Sequence, residues 1–308
     1  MGGARGVTEP IGLAVIDKPA GMTSHDVVAR MRRILGERRV GHAGTLDPPA
    51  TGVLLIGVGR ATRLLRFLQG TDKTYEGTLE LGSATTTLDA TGDVVASFDM
   101  AAVTPADVEA AARALTGTIS QVPPMVSAIS IGGRRLHELA REGKEVERPP
   151  RTVEVSSFAV APLGAGVYSF TVDCSSGTYV RTLADDLGRA LGGGAHLTSL
   201  RRTRVGRFTL DGATTLEALE ALGAGAASTL AAPAAMVGEL PQWIVNAQEV
   251  VDLGHGKAVR WPIAAAAGTP VAVLDHGGAL VAVCVDNGAG TLRPDVVLAA
   301  QGAAPGHD

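Results

Sequence analysis

The sequence predicts an α+β fold whose central sheet is antiparallel or mixed, with a small strand-rich unit appended near the C-terminal end. Three observations carry this expectation. Strand-like and helix-like periods follow one another without the regular alternation that a doubly wound parallel sheet requires. The 308 residues exceed one ordinary small domain. Between Ala221 and Ala235 the chain turns Ala/Gly-rich and nearly charge-free before short strand-like pieces resume, which places a boundary near 235. A composition of 45% hydrophobic and 19% charged residues supplies a core, and with aromatics at 3% that core must be built from Val, Leu, Ile and Ala.

Element by element, residues 1–10 contain Arg5 and no apolar stretch, and are expected to be disordered. Ile11 to Ile16 reads as a strand stopped by the turn Asp17-Lys18-Pro19-Ala20-Gly21. Thr23 or Ser24 then caps a helix in which Val27, Val28, Met31, Ile34 and Leu35 recur at helical spacing, and Gly36 ends it. From Arg39 to Gly52 no period is visible, so a structured loop is expected before a short buried strand, Val53 to Val58. Thr74 to Leu81 alternates as a strand; Thr104, Pro105 and Asp107 read as a cap, first-turn proline and helix running to Leu115. Arg151 to Ala161 and Val167 to Asp173 form a strand pair around the Gly164–Gly166 turn. A helix from about Thr178 to Leu191 follows, with Val180, Leu183, Ala184, Leu187 and Leu191 facing inward. Val271 to Leu274 and Leu280 to Val285 are strands of the C-terminal unit, taken as 235–300 after a main domain of 11–234, and 301–308 is expected to be a disordered tail.

Charge is polarised within a net formal charge of -4. Residues 1–70 carry ten Lys/Arg against five Asp/Glu, residues 71–120 two against eight, and residues 231–308 three against seven. A second basic cluster, Arg201, Arg202, Arg204 and Arg207, reads either as local positive surface suited to phosphates or as a solvated arginine-bearing strand. Cys174 and Cys284 form no CxxC pair, which argues against a disulfide framework or a thiolate zinc site and for a reducing cytoplasm. No run of about eighteen apolar residues suggests a membrane span. The seven histidines, His25, His42, His137, His196, His255, His276 and His307, never stand at metal-ligand spacing, so no metal is expected. There is no GxSxG elbow, no phosphate loop ending in Gly-Lys-Ser/Thr and no GxGxxG after a strand.

Two segments stand out chemically. Gly41 to Gly52, G-H-A-G-T-L-D-P-P-A-T-G, sets Asp47 among residues that let backbone approach a ligand closely, although on this loop alone an Asx turn before proline is the commoner explanation of Asp47. His42 lies five residues upstream. The second segment is C-S-S-G-T-Y-V-R-T-L-A-D-D-L-G, Cys174 to Gly188, where Arg181 falls in the first turn of the expected helix. The macrodipole disfavours a cation there by a few tenths to about 1 kcal/mol, so Arg181 wants a carboxylate, either a distant Asp or Asp185 at i+4. Tyr75 and Tyr179, two of three tyrosines, lie near Lys73 and Arg181.

Taken together, I-D-K-P-A-G-M-T-S (Ile16 to Ser24), the Gly41–Gly52 loop, K-T-Y-E-G (Lys73 to Gly77), Q-V-P-P-M-V-S-A-I (Gln121 to Ile129), C-S-S-G-T-Y-V-R and G-A-H-L-T-S-L-R-R (Gly194 to Arg202) resemble the TruB-type tRNA pseudouridine synthases, in family order. Pro49 departs from the leucine many members carry, and the likeness is strong over residues 11 to about 215 only. The resemblance implies a mixed, mainly antiparallel central sheet with flanking helices, a small PUA-like C-terminal domain, and isomerisation of uridine 55 in the T loop of transfer RNA without a cofactor. It assigns the catalytic carboxylate to Asp47 and its partner to Arg181, with Tyr75 stacking on the target base and Lys18 in support. His42, Tyr179 and Leu200 fall at substrate positions, while Arg201 and Arg202 are expected on the RNA backbone. The implied partner is tRNA, through its T-arm and acceptor stem. Nothing in the sequence demands more than a monomer. An RNA-folding chaperone role is the rival reading, and non-tRNA substrates share the same chemistry.

Overall fold

The structure is a computed structural model in which residues 9–127, 130, 131, 134, 135, 142, 146–263 and 266–298 are described. The expectations for residues 1–8 and 301–308, His137, and the last two residues of the Gln121–Ile129 motif lie outside the described residues.

In chain order the first half holds β1 (Gly12–Lys18), α1 (Ser24–Leu35), β2 (Val40–Ala43), β3 (Thr51–Val58), a 3₁₀ helix over Gly59–Leu68, β4 (Lys73–Leu81), β5 (Ser83–Thr85), β6 (Val94–Ser97), α2 (Pro105–Ala114) and β7 (Gly117–Gln121). A short ladder, β8 (Ser130–Ile131) with β9 (Arg134–Arg135), precedes the long hairpin β10 (Arg151–Gly164) and β11 (Val167–Cys174). Then come α3 (Val180–Ala190), β12 (Ala195–Val205), β13 (Phe208–Thr209), α4 (Leu216–Leu222) and a 3₁₀ turn at Pro233–Val237. The C-terminal unit comprises β14 (Gln242–Ile244), α5 (Ala247–Gly254), β15 (Val259–Arg260), β16 (Pro270–Leu274), β17 (Leu280–Asp286) and β18 (Thr291–Val297).

The central sheet runs β1-β3-β12-β4-β11-β10-β7, with β2 on β3 and β13 on β12. Only the short β3–β12 pairing is parallel, so the sheet is mixed and mainly antiparallel. The second sheet, β14-β16-β17-β18-β15, is a β-rich C-terminal unit.

Local rules explain the elements that frame the site. Thr23 caps α1 through a box with Asp26, and Gly36 closes the helix at φ 62, where a residue without Cβ carries no steric penalty. Alternation along β1 and β3 feeds two cores: Ala14, Ile16, Leu54 and Ile56 pack with α1 and α3, whereas Leu13, Val53 and Leu55 face the opposite side. That opposite core also takes in Leu64, Leu65 and Leu68 of the first 3₁₀ helix, Met236 and Val237, and Ala272, Leu280 and Val283 of the second sheet. The two sheets are thus separate ladders sharing one apolar cluster. The aperiodic stretch from Arg39 contains a strand, β2, where a loop was expected. Its four residues V-G-H-A are too few to show a period, and β2 is fixed by pairing with β3.

Candidate active site

Asp47 sits in the turn between β2 and β3, and that turn is fastened from several directions. Leu46 donates its backbone N–H to Ser24 Oγ at 2.9 Å, and Ala50 donates to the Asp47 carbonyl at 3.1 Å. Gly21 donates to the Pro48 carbonyl at 2.9 Å, joining the β1–α1 turn to the residue after Asp47. Lys18, fully buried, places Nζ 2.7 Å from Met22 O, 2.9 Å from Pro19 O and 3.2 Å from Pro48 O. Burial pushes its ammonium down to about 8, against the pull of Asp47.

Arg181 provides the carboxylate's partner. Its Nε lies 2.9 Å from Asp47 Oδ2 and 3.8 Å from Asp89 Oδ2. Nη1 donates to Thr87 O at 2.9 Å and Nη2 to Val126 O at 2.8 Å. This resolves the misplaced charge in the first turn of α3, since a buried guanidinium is held by two carboxylates and two carbonyls. The i+4 alternative is not adopted, because Asp185 pairs with Arg189 at 2.7 Å. The Arg181 side chain is 5% exposed and that of Asp47 36%, so the pair offers its carboxylate to the cleft and keeps its cation inside.

Asp89 is a site residue that sequence reasoning missed. It lies in T-T-T-L-D-A-T-G, Thr85 to Gly92, a carboxylate among Thr and Gly much like the Asp47 loop, and that likeness was the available signal. Asp89 Oδ1 accepts from Thr87 Oγ1 at 2.7 Å and from the Thr91 N–H at 3.0 Å. Leu88, at φ 62, bends the chain within the same turn that offers the Thr87 carbonyl to Arg181. Gln121 was also missed as an individual residue: 1% exposed, it accepts the Tyr179 N–H at 3.0 Å and donates to Tyr179 O at 3.3 Å, fixing the start of α3.

Two cavities meet at the acid. One, of about 410 Å³, is lined by His42, Asp47, Tyr75, Tyr179, Arg181 and Leu200 among others. The other, of about 730 Å³, runs over β4, β11 and β12 past Thr78, Thr171 and Ser199; Asp47, Arg181 and Leu200 border both. Tyr75 is 7% exposed, with burial raising its phenol above the usual range. Tyr179 is raised by the same cause. His42 meets His25 edge-on at 5.3 Å between ring centroids, and burial first, then His25 and Arg202, holds its imidazole below the usual value. Its Nδ1 is buried with no hydrogen-bond partner among the described residues. A neutral ring follows near pH 7.

Within the arginine cluster, the expectation for Arg202 is corrected. Arg202, expected on the RNA backbone, is 1% exposed, and its guanidinium donates to Val53 O, Gly44 O and Thr45 O at 2.7, 3.1 and 3.3 Å. No face is left for a phosphate. Arg201 spends its fork on Asp17 at 3.0 and 2.7 Å, and Arg204 binds Asp173 at 2.9 Å. Among the described residues no group of three or more His, Cys, Asp or Glu is placed to hold a metal ion.

With this geometry in place, the similarities to known proteins are informative. Residues 32–180 match the family model described as TruB family pseudouridylate synthase (N terminal domain), and 181–233 match the tRNA pseudouridylate synthase B C-terminal domain. The chain is 47% identical to tRNA pseudouridine synthase B of Arthrobacter sp. (strain FB24), over 96% of this chain and 99% of that protein. It is 50% identical to the same-named protein of Streptomyces coelicolor, over 90% and 93%. Among solved structures, a Cbf5-Nop10-Gar1 complex superposes with a TM-score of 0.74 at 26% identity, covering 95% of this chain and 86% of that one. An H/ACA RNP bound to a substrate RNA containing 2'-deoxyuridine gives 0.73 at 24% identity over 94% and 86%, a likeness of fold. A carboxylate offered to a cleft beside a buried guanidinium, carried on this sheet and matched along both family segments, makes the chain a member of the TruB family of pseudouridylate synthases.

Proposed function

We propose that the protein isomerises uridine 55 in the T loop of transfer RNA to pseudouridine, with Asp47 as the catalytic carboxylate. The observation that carries this reading is the 2.9 Å Asp47–Arg181 contact at the mouth of a cleft that also holds Tyr75, Tyr179, His42 and Leu200. In this reaction the N1–C1′ bond breaks, the uracil turns, and C5–C1′ forms; the C5 proton leaves and N1 ends protonated. No electron is gained or lost, and no co-reactant is consumed. The chemistry therefore demands an anionic group beside the sugar and a walled space in which a detached base stays captive.

Arg181 fixes the orientation of the Asp47 carboxylate through the 2.9 Å ion pair. From there the carboxylate serves either as nucleophile toward C1′ or C6, or as the base that takes a ribose proton. The target base reaches the site by leaving its stack, at a cost of a few kcal/mol, offset by ~1–3 kcal/mol from an aromatic face such as Tyr75. His42, held neutral, is placed to contact the RNA at the same cleft without adding charge. The buried, unpaired thiols Cys174 and Cys284 are consistent with a reducing cytoplasm. No described helix is long and apolar enough to cross a membrane. The C-terminal sheet is read as a PUA-like module lying along the acceptor stem.

The test is Asp47→Asn assayed on a T-arm RNA. Pseudouridine formation is lost while RNA binding persists; undiminished product would remove Asp47 from the mechanism, and pseudouridine mapped at another position would overturn the substrate assignment.

A further inference from the structure

Arg202 performs a task that neither its place in a basic cluster nor its family motif assigns. The register of the sheet explains why it is buried. β12 pairs in parallel with β3, setting Arg202 against Gly52, and antiparallel with β4, setting it against Tyr75. Gly52 has φ +102, and a Cβ there would fall 2.1 Å from the Arg202 carbonyl oxygen, so the two backbones approach as only glycine allows. The guanidinium then reaches under the catalytic turn. Its three nitrogens donate to carbonyls of Gly44 and Thr45, just before Asp47, and of Val53, just after it. The guanidinium carbon also stands 6.0 Å from the Tyr75 ring centroid. A planar fork can hold both sides of a turn at once; a lysine's point charge cannot.

We propose that Arg202 is a positioning residue that sets the Asp47 turn and the Tyr75 ring in register with each other, without touching RNA. The proposal rests on the isomerase reading above and adds a role within that site. Burial of the charge is compensated by two acceptors on the turn, Gly44 O and Thr45 O, and one on β3, Val53 O, so any movement of the turn leaves a buried cation short of partners. This ties the turn to one geometry. Behind burial, the same charge contributes to lowering the pKa of Lys18, Lys73 and His42.

The test compares the parent chain with Arg202→Lys, Arg202→Met and Asp47→Asn on a T-arm RNA, measuring kcat, KM, the salt dependence of RNA binding and the titration of His42 by NMR. Misplacing the turn lowers kcat by about 100-fold in the Met variant, with partial rescue in the Lys variant, at near-constant KM. The His42 titration moves upward in the Met variant, a change that loss of stability alone does not produce. A backbone-phosphate role predicts the opposite pattern: intact kcat, raised KM and a salt slope reduced by about 0.7–0.9. That result overturns the proposal, as does a Met variant with parental kcat. Should the Met variant fail to fold, the Lys variant carries the test through turnover, since it keeps the charge and loses the fork: parental kcat in it is equally fatal. The Asp47→Asn arm separates the two readings: if it retains full turnover the isomerase assignment to Asp47 fails, whatever Arg202 does.

Discussion

Replacing Arg181 tests the electrostatic core of the site. Its three guanidinium nitrogens serve Asp47 Oδ2 at 2.9 Å, Thr87 O at 2.9 Å and Val126 O at 2.8 Å. Arg181→Met removes all three donors at once. Two carbonyls lose a charged donor at about 1–3 kcal/mol each, and Asp89, with a side chain 13% exposed, loses its nearest cation. Asp47, at 36% exposure, can turn to water and contributes less. The sum falls near the ~3–5 kcal/mol expected for breaking a buried pair, which lowers the melting temperature by on the order of 10 °C. Activity falls further than stability alone accounts for, by at least about 100-fold, because the carboxylate is no longer aimed. Arg181→Lys keeps the charge and one contact and falls between the two. The assay is release of tritium from C5-labelled uridine in a T-arm RNA at saturating enzyme, beside thermal unfolding of each variant. A Met variant that turns over as fast as the parent chain would show that Asp47 needs no cation, and the mechanistic reading would fail.

Further outcomes are expected elsewhere. Tyr75→Phe keeps the stacking face and retains most turnover, whereas Tyr75→Leu loses about 1–3 kcal/mol of base contact; equal rates in the two would contradict stacking. Gly52→Ala forces a Cβ to within 2.1 Å of the Arg202 carbonyl at φ +102, so it destabilises the fold by more than the ~0.4–1 kcal/mol that Gly→Ala gains at a compatible site, read as a drop in soluble yield and denaturant midpoint. Lys73, 7% exposed, is lowered to about 8 by burial. Between pH 8 and 9 the unfolded chain therefore binds more protons there than the folded one, and stability rises with pH. The thiols Cys174 and Cys284, pushed up to about 11 and about 12, act in the opposite sense, weakly between pH 8 and 9 and mainly above pH 9. Lys73→Met flattens the pH 8–9 rise by about 1 kcal/mol in denaturant titrations, and an unchanged slope would refute the assignment.

Asp47 and Arg181, which the structure brings within 2.9 Å of each other, stood out in the sequence because each broke a local rule: one put a carboxylate in a Gly/Pro bend, the other a cation at a helix start. Helix α1 was legible from Thr23 to Gly36 because its cap, stripe and terminator are all local. Arg202 was misread because its surroundings are not local. β12 carries register shifts between Leu197 and Ser199 and between Arg202 and Arg204, so side-chain alternation cannot be followed along the strand. Consecutive arginines go to different fates, Arg201 to Asp17 and Arg202 to the interior, and only the pairing with β3 and β4 decides which. Asp89 escaped for a similar reason: its approach to Arg181 spans 92 positions and passes through a left-handed Leu88 that no period announces.

The packing of the second sheet bears on how this chain can be cut. Both matched family segments end by residue 233, and a fragment stopping there would retain every side chain assigned to catalysis. It would nevertheless strip the cover from Leu64, Leu65 and Leu68, and sever the ties of Arg66 to Asp295 and Arg63 to the Val297 carbonyl. The bared helix leads straight into Leu68 and Gln69, which line the cavity beside Asp47. A fragment trimmed to the two matched segments should therefore be sticky and loosened beside the Asp47 cleft.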